Sequence, residues 1–409
     1  MKRMKSVPGA LVAIVWVAAS ISMGAGTARA QVPADIEAGL RKIGQIVDPG
    51  CTAKLYRPLM PANDYNSSVT PLYPGITLAR DVSFGPNPKD LVDIFTADKG
   101  GGSRPVLIYV PGGAGNKIEQ QAREANAFYD NIGRWATKNG MIGVLVQRHP
   151  GQGNWDDSGK DISLMIQWVQ ANIAKYKGNP DRMFIWAHSA GNGPLGTYIG
   201  RPELYGPKGV GVKGAIFMSG QFNILPVQPA GAGGGRGAAG GGPAGPGGAA
   251  NALAGAGTTC GLTGGAGSSE GAIVGPSGVT PGAQRGGPGA AAGGLPGQGG
   301  PPGPPGQGGG RGRGAPVDPA VQLTRSSLSA LKETKVALLL ATAELDPGIN
   351  GSQSAFNQAL HDELCKDGPA HCPTMLFAKG ESHMSEVFSI DTADKIVSGP
   401  ILAWMKKVK

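Results

Sequence analysis

Histidine and cysteine are scarce in this chain, with five and four residues among 409. A metal centre built from repeated Cys and His pairs is therefore excluded, and any catalytic imidazole must come from a short roster. Aromatic residues are few, and between Pro229 and Pro316 there are none, nor any lysine or aspartate. Such a stretch has too little apolar surface to offset the entropy of ordering it. After the first thirty residues no apolar run approaches the length of a membrane span. A surplus of one charge sign is also missing once the net +9 is divided. Lys2, Arg3, Lys5 and Arg29 supply four positive charges, and Arg236, Arg285, Arg311 and Arg313 against Glu270 supply three more, which leaves +2 for the rest. A nearly neutral body carries no electrostatic footprint for nucleic acid.

What is present divides the chain into four parts. Residues 1–30 begin with Lys2, Arg3 and Lys5, continue through an apolar run from Leu11 to Met23, and end on Ala28-Arg29-Ala30. That is the pattern of a secretory signal peptide; an uncleaved anchor is the alternative. Export predicts a periplasmic or secreted protein with no stable membrane anchor after cleavage. It also makes disulfides the expected state of the cysteines. Cys365 and Cys372 enclose six residues and form the favoured pair, leaving Cys51 with Cys260 or both free. A zinc site at Cys365, His371 and Cys372 is the minor alternative.

Residues 31–228 and 317–409 alternate short apolar strands with amphipathic helices. Strands are predicted at Ile76–Phe84, Leu91–Phe95, Val106–Val110, Ile142–Val146, Arg182–Ala187, Val212–Met218, Val336–Leu340 and Thr374–Phe377. Helical spacing marks Ile36–Ile46, Ile118–Trp135, Asp161–Ile173, Ala355–Leu364 and Thr392–Val408, with polar loop expected from Val47 through Pro71. This alternation implies a parallel sheet covered on both faces. Residues 229–316 interrupt it as a Gly/Ala/Pro-rich insertion, with glycine at every third position from Gly294 to Gly312. A flexible, partly polyproline-II segment is expected, whose deletion leaves the core folded unless Cys260 is bridged.

The chemistry centres on Ala187-His188-Ser189-Ala190-Gly191, where an apolar strand runs into a turn of small residues. A serine hydroxyl becomes a useful nucleophile only when it is lifted clear of its strand and given a base, and a tight strand-to-helix elbow does the first. An ordinary turn with an N-capping serine is the bland alternative. If the serine is a nucleophile, its acid and histidine follow it in the chain in that order. His149 and His188 precede or adjoin Ser189, His361 lies in a helix and His371 in the Cys-bounded loop. His383, after a strand end, is left as the base. Glu344 and Asp346 both follow the preceding strand and either could orient it. Oxyanion donors are expected from the N–H of Ala190 and from Gly113 and Ala114 in the turn Val110-Pro111-Gly112-Gly113-Ala114-Gly115. That turn lacks the lysine-hydroxyl pair of a phosphate loop and the glycine spacing of a dinucleotide fingerprint.

Together, Val106 to Gly115, Phe184 to Gly191, Ala341 to Pro347 and Gly380 to Val387 resemble the esterase/lipase branch of the α/β-hydrolase fold, the carboxylesterase-like group with a His-Gly-Gly-Gly oxyanion turn. The resemblance covers about 76–221 and 321–406. It implies an α/β-hydrolase fold with a mostly parallel eight-stranded sheet, a Ser189–Asp346–His383 triad, a small-molecule ester substrate, and neither cofactor nor metal. Pro111 stands where the family has histidine, Ala114 where it has glycine, and Ala187 where it has the first elbow glycine; these put catalytic efficiency in question. An exported serine esterase is the expectation. A peptidase or amidase on the same triad, and a non-catalytic scaffold presenting the Gly/Pro-rich arm, are the alternatives.

Overall fold

A computed structural model describes residues 31–60, 73–112, 128–147, 155–220, 260, 331, 333–349 and 352–409. Eight strands form one sheet: β1 (Ile76–Ser83), β2 (Leu91–Ala97), β3 (Arg104–Val110), β4 (Ile142–Gln147), β5 (Gly178–His188), β6 (Gly214–Met218), β7 (Ala337–Leu345) and β8 (Thr374–Ser382). Their order is β1-β2-β4-β3-β5-β6-β7-β8. β1 and β2 pair antiparallel, as do β2 and β4, and every later pairing is parallel.

The near-continuous apolar runs of β3, β5, β6 and β7 follow from this position, because a central strand buries both faces. Leu107, Tyr109, Phe184, Trp186, Ile216, Met218, Leu339 and Ala341 pack on one side of the sheet. Their neighbours Val106, Ile108, Ile185, Ala187, Ala215, Phe217, Leu338 and Leu340 pack on the other. The period-two alternation of a pleated strand thus separates two cores. Ala187 falls in the second core, fully buried, where its methyl group is accommodated without a glycine.

Several element boundaries differ from the sequence expectation. Residues 118–127 lie outside the described part, and the helix that follows is Asp130–Lys138. The stretch expected as polar loop contains a helix, α2 (Pro49–Tyr56), after the expected α1 (Ala34–Ile43). Asp48 caps α2 by accepting from the Cys51 N–H at 2.8 Å, and Pro49 occupies its first turn, where no N–H is needed. Only two turns long, it has too few positions for helical periodicity to stand out. The last helix is shorter than expected, Ser398–Lys407, preceded by the short helix Ser385–Phe388. Finally, β7 runs five residues past its expected end, so Glu344 belongs to the strand and Asp346 directly follows it.

Both disulfides form, Cys51–Cys260 and Cys365–Cys372. The second consumes the thiols that a zinc reading would need. The first fastens residue 260 of the insertion to α2, so the insertion is covalently tied to the core. Removing a cross-link between residues 209 apart in sequence frees the unfolded chain. Cys51→Ser with Cys260→Ser should therefore lower unfolding stability by about 2–4 kcal/mol. Denaturant titration checks this, and an unchanged midpoint would sink it.

Candidate active site

The parallel strands converge on their carboxyl ends, where open α/β sheets place ligands. Gly112 comes two residues after β3, Ser189 directly follows β5, Ser219 follows β6, Asp346 follows β7 and His383 follows β8. Residues scattered over more than 270 positions thereby share one edge.

Ser189 has φ +53°, a left-handed conformation that an L-residue adopts only when its surroundings impose it. The turn Ser189–Gly191 then leads into the helix Asn192–Ile199. Two glycines make the turn possible. A Cβ at Gly191 would come 2.6 Å from the Val110 carbonyl oxygen and 2.9 Å from that of Pro111. A Cβ at Gly112 would lie 2.5 Å from Ser189 Cβ and 3.2 Å from its Oγ. The β3 turn is thus pressed against the serine. Asn192, fully buried, clamps the elbow to β6: its amide donates to Ser189 O at 3.0 Å and Met218 O at 2.8 Å, and its Oδ1 accepts from Met218 N at 3.2 Å. Ser189 itself is half-buried and Ala190 exposed.

His383 Nδ1 lies 2.5 Å from Asp346 Oδ2, both buried. A carboxylate can only accept, so Nδ1 carries the proton of this bond. Burial raises the Asp346 carboxyl, but the His383 hydrogen bond and charge, the Gly348 N–H at 2.6 Å and the Ser219 hydroxyl outweigh it and hold the group below its usual value. Among the described residues no hydrogen bond yet joins Ser189 to His383, a contact that often tightens only with substrate bound. Glu344, the other candidate acid, is turned elsewhere. It accepts from the Gly380 N–H at 2.7 Å and pairs with Arg41 at 3.2 Å. The Gly380 bond chiefly, then Arg41, keeps it ionised below its usual value. It braces the turn leading to His383 rather than the imidazole.

Of the predicted oxyanion donors, Ala190 sits at the elbow, whereas Gly113 and Ala114 lie outside the described residues. His149 does also. His361 is on a surface helix beside Asp362, far in role from the sheet edge.

Sequence reasoning missed a layer of buried polar groups around His383. His188 Nε2 is 2.8 Å from the His383 carbonyl oxygen, and Glu386 Oε1 is 3.4 Å from the same nitrogen. Burial first, then the charge of Asp346, pushes the Glu386 carboxyl well above its ordinary value, toward the neutral form. His188, His383 and Glu386 offer ligand atoms within 4.8 Å of one another. One of these separations, His188 Nε2 to Glu386 Oε1, is 3.4 Å, but that nitrogen is already committed to the His383 carbonyl. Further along, Glu381 accepts from Tyr56 Oη at 3.2 Å and from Ser385 Oγ, and faces Asp394. Glu381 Oε1 and Asp394 Oδ2 are both buried without a hydrogen-bond donor, and the two facing carboxyls are suited to sharing one proton. No periodicity or motif announces these groups; only the spacing of Glu381 and Glu386 about His383 offered a hint.

Comparison with known proteins places the chain among related folds. The BD-FAE family model matches residues 92–200, which include Ser189 but neither Asp346 nor His383. A probable isoprenylcysteine alpha-carbonyl methylesterase of Arabidopsis thaliana is 27% identical over 161 residues, 37% of this chain and 30% of that protein. The probable carboxylic ester hydrolase LipM of Mycobacterium tuberculosis is 35% identical over 94 residues, 22% of this chain and 20% of its own. The chain thus spans under a third of the length of these curated relatives. Among solved structures, a bacterial heroin esterase aligns with TM-score 0.50 at 15% identity, covering 92% of this chain and 98% of that one. Carboxyl esterase 2 of Tuber melanosporum aligns with TM-score 0.50 at 13% identity, covering 92% and 99%. At such identities the likeness shows a common fold.

The shared proton has a consequence for stability. Burial, then the Asp394 charge, raises Glu381 well above its usual value. A raised carboxyl holds its proton more tightly when folded, so its contribution is complete below the unfolded value and is lost as pH rises toward the folded one. Glu381→Gln cannot lose a proton. The stability of the variant relative to wild type should therefore climb with pH between 5 and 8, by as much as about 1.4 kcal/mol per pH unit. Chemical denaturation across that range tests it; a difference independent of pH refutes it.

Proposed function

We infer that this member of the α/β-hydrolase esterases hydrolyses carboxylic esters of small molecules, with Ser189 as nucleophile, His383 as general base and acid, and Asp346 as its orienting carboxylate. The observation that carries the reading is the buried His383–Asp346 hydrogen bond at 2.5 Å on the sheet edge where Ser189 is held at φ +53°. The esterase relatives support the substrate class.

The steps follow from these groups. His383 Nε2 takes the proton of Ser189 as Oγ attacks the ester carbonyl, and Asp346 stabilises the imidazolium so formed. The tetrahedral oxyanion meets the N–H of Ala190, directly after the nucleophile, and donors from Gly113 and Ala114. Collapse expels the alcohol, protonated by His383, and leaves an acyl group on Ser189. Water activated by His383 then releases the acid and restores the serine. No cofactor enters this sequence.

Export remains part of the proposal. The basic, apolar and small-residue pattern of residues 1–30 supports it, as do two disulfides that an oxidising compartment would preserve. Among the described residues no helix is long and apolar enough to cross a membrane.

Turnover of p-nitrophenyl acetate and longer p-nitrophenyl esters should fall at least about 10³-fold in Ser189→Ala, and by roughly 10³–10⁴-fold in kcat for Asp346→Asn, which leaves a carboxamide in place of the orienting charge. A fluorophosphonate should label Ser189 in the wild type alone. Equal activity in wild type and Ser189→Ala, with no labelling, would overturn the reading; faster cleavage of matched anilides than of esters would shift it to an amidase.

A further inference from the structure

His188 is absent from the mechanism above because it adjoins the nucleophile and cannot reach round to act as its base. Its position is nonetheless unusual for a spectator. The side chain lies on the face of β5 shared with Trp186 and is 1% exposed. Its Nε2 stands 2.8 Å from the backbone oxygen of His383, a residue 195 positions later. The two imidazole rings are 4.8 Å apart and inclined by 47°.

The chemistry of that bond fixes the state of the ring. A carbonyl oxygen has no proton to give, so His188 must donate from Nε2. Only the neutral tautomer protonated at Nε2 does so without adding charge. Burial acts in the same direction, lowering His188 to about 4 against the pull of the His383 carbonyl and the Asp346 charge. A second imidazolium here would repel the one that forms on His383 during the reaction. Glu386, the other group facing His188, is itself buried, and burial pushes its carboxyl upward toward the neutral form, so neither neighbour brings a favoured charge to rival Asp346 beside His383. Breaking the bond would orphan a buried carbonyl as well as free the loop.

We propose that His188 is a positioning residue: by donating Nε2–H to the His383 carbonyl it locks the backbone that carries the catalytic imidazole to the strand that carries the nucleophile. The same residue that sets up the elbow sequence therefore fixes its partner across the sheet edge. This rests on the triad reading above, but the geometry it describes can be examined apart from turnover.

Three substitutions separate positioning from packing. His188→Phe fills the volume without a donor. His188→Asn keeps a polar amide too short to reach the carbonyl, and guards against a Phe variant that does not fold. His188→Gln retains an N–H at about the position of Nε2. Displacing reacting groups by an ångström costs on the order of 10²-fold. Phe and Asn should thus lower kcat 10–100-fold with KM within about twofold, and Gln should recover most of the loss. The low-field NMR proton of the His383–Asp346 hydrogen bond should weaken or vanish in Phe and Asn and persist in Gln. Wild-type kcat in a folded Phe or Asn variant, with the low-field proton intact, overturns the proposal. Equal losses in Asn and Gln also overturn it, since packing rather than donation would then be at stake. If the wild type neither turns over esters nor reacts with fluorophosphonate, the esterase reading fails; the low-field proton across the three variants still decides the role of His188.

Discussion

Everything at this site depends on holding one serine in a backbone conformation it would not choose. Ser189 has φ +53°, a geometry that costs of order 1–3 kcal/mol and persists only when the surroundings over-determine it. Those surroundings are largely backbone. The carbonyls of Val110 and Pro111 crowd Gly191, and Gly112 touches the serine itself, so β3 and β5 must lie in their observed parallel register for the elbow to close. Asn192 completes the constraint by bonding across to β6. The two apolar cores above and below the sheet supply the burial that holds these strands together against the local strain.

The same logic governs the histidine. One imidazole in a loop would be poorly placed if its backbone were free, and here four elements restrain it. Glu344 of β7 takes the Gly380 N–H, with Arg41 of α1 behind it. Tyr56 of α2 reaches Glu381. Asn131 donates to the carbonyls of Val387 and Ile390 at 2.8 and 2.9 Å, and Arg134 pairs with Asp391. His188 holds the His383 carbonyl. The N-terminal helices, which a reading of the sheet alone would treat as decoration, are part of what holds the His383 loop, and Cys51 ties them to the insertion.

Much of this was legible in the residues. All eight strands were anticipated, because central parallel strands are apolar on both faces and stand out as uninterrupted runs. The elbow pattern pointed to Ser189, and the expected chain order then left His383, whose ring the structure sets against Asp346; both Cys pairs were among the arrangements allowed. What escaped was of a different kind. α2 is too short for its periodicity to emerge, and the extension of β7 through Glu344 depends on pairing with β8, a contact no local pattern encodes. The roles of His188, Glu381, Glu386 and Asn192 arise from juxtapositions made by the sheet, and a single polar residue in an apolar context does not say which distant group will meet it. Ala187, which departs from the expected glycine, is explained only when its methyl group is seen within a core.

Four acidic residues illustrate why composition alone could not finish the assignment. Glu344, Asp346, Glu381 and Glu386 lie within reach of the same loop, and by residue type any of them could orient an imidazole. Environment separates them. Glu344 is ionised, but its charge is spent on a backbone N–H and an arginine. Burial pushes the Glu381 and Glu386 carboxyls well above their ordinary values. Asp346 alone combines an ionised carboxylate with a direct bond to the ring, because Gly348 and Ser219 supply the donors that burial would otherwise deny it. A second ionised carboxylate beside His383 would add to the charge that Asp346 already directs at the ring; burial instead shifts Glu386 toward its neutral form.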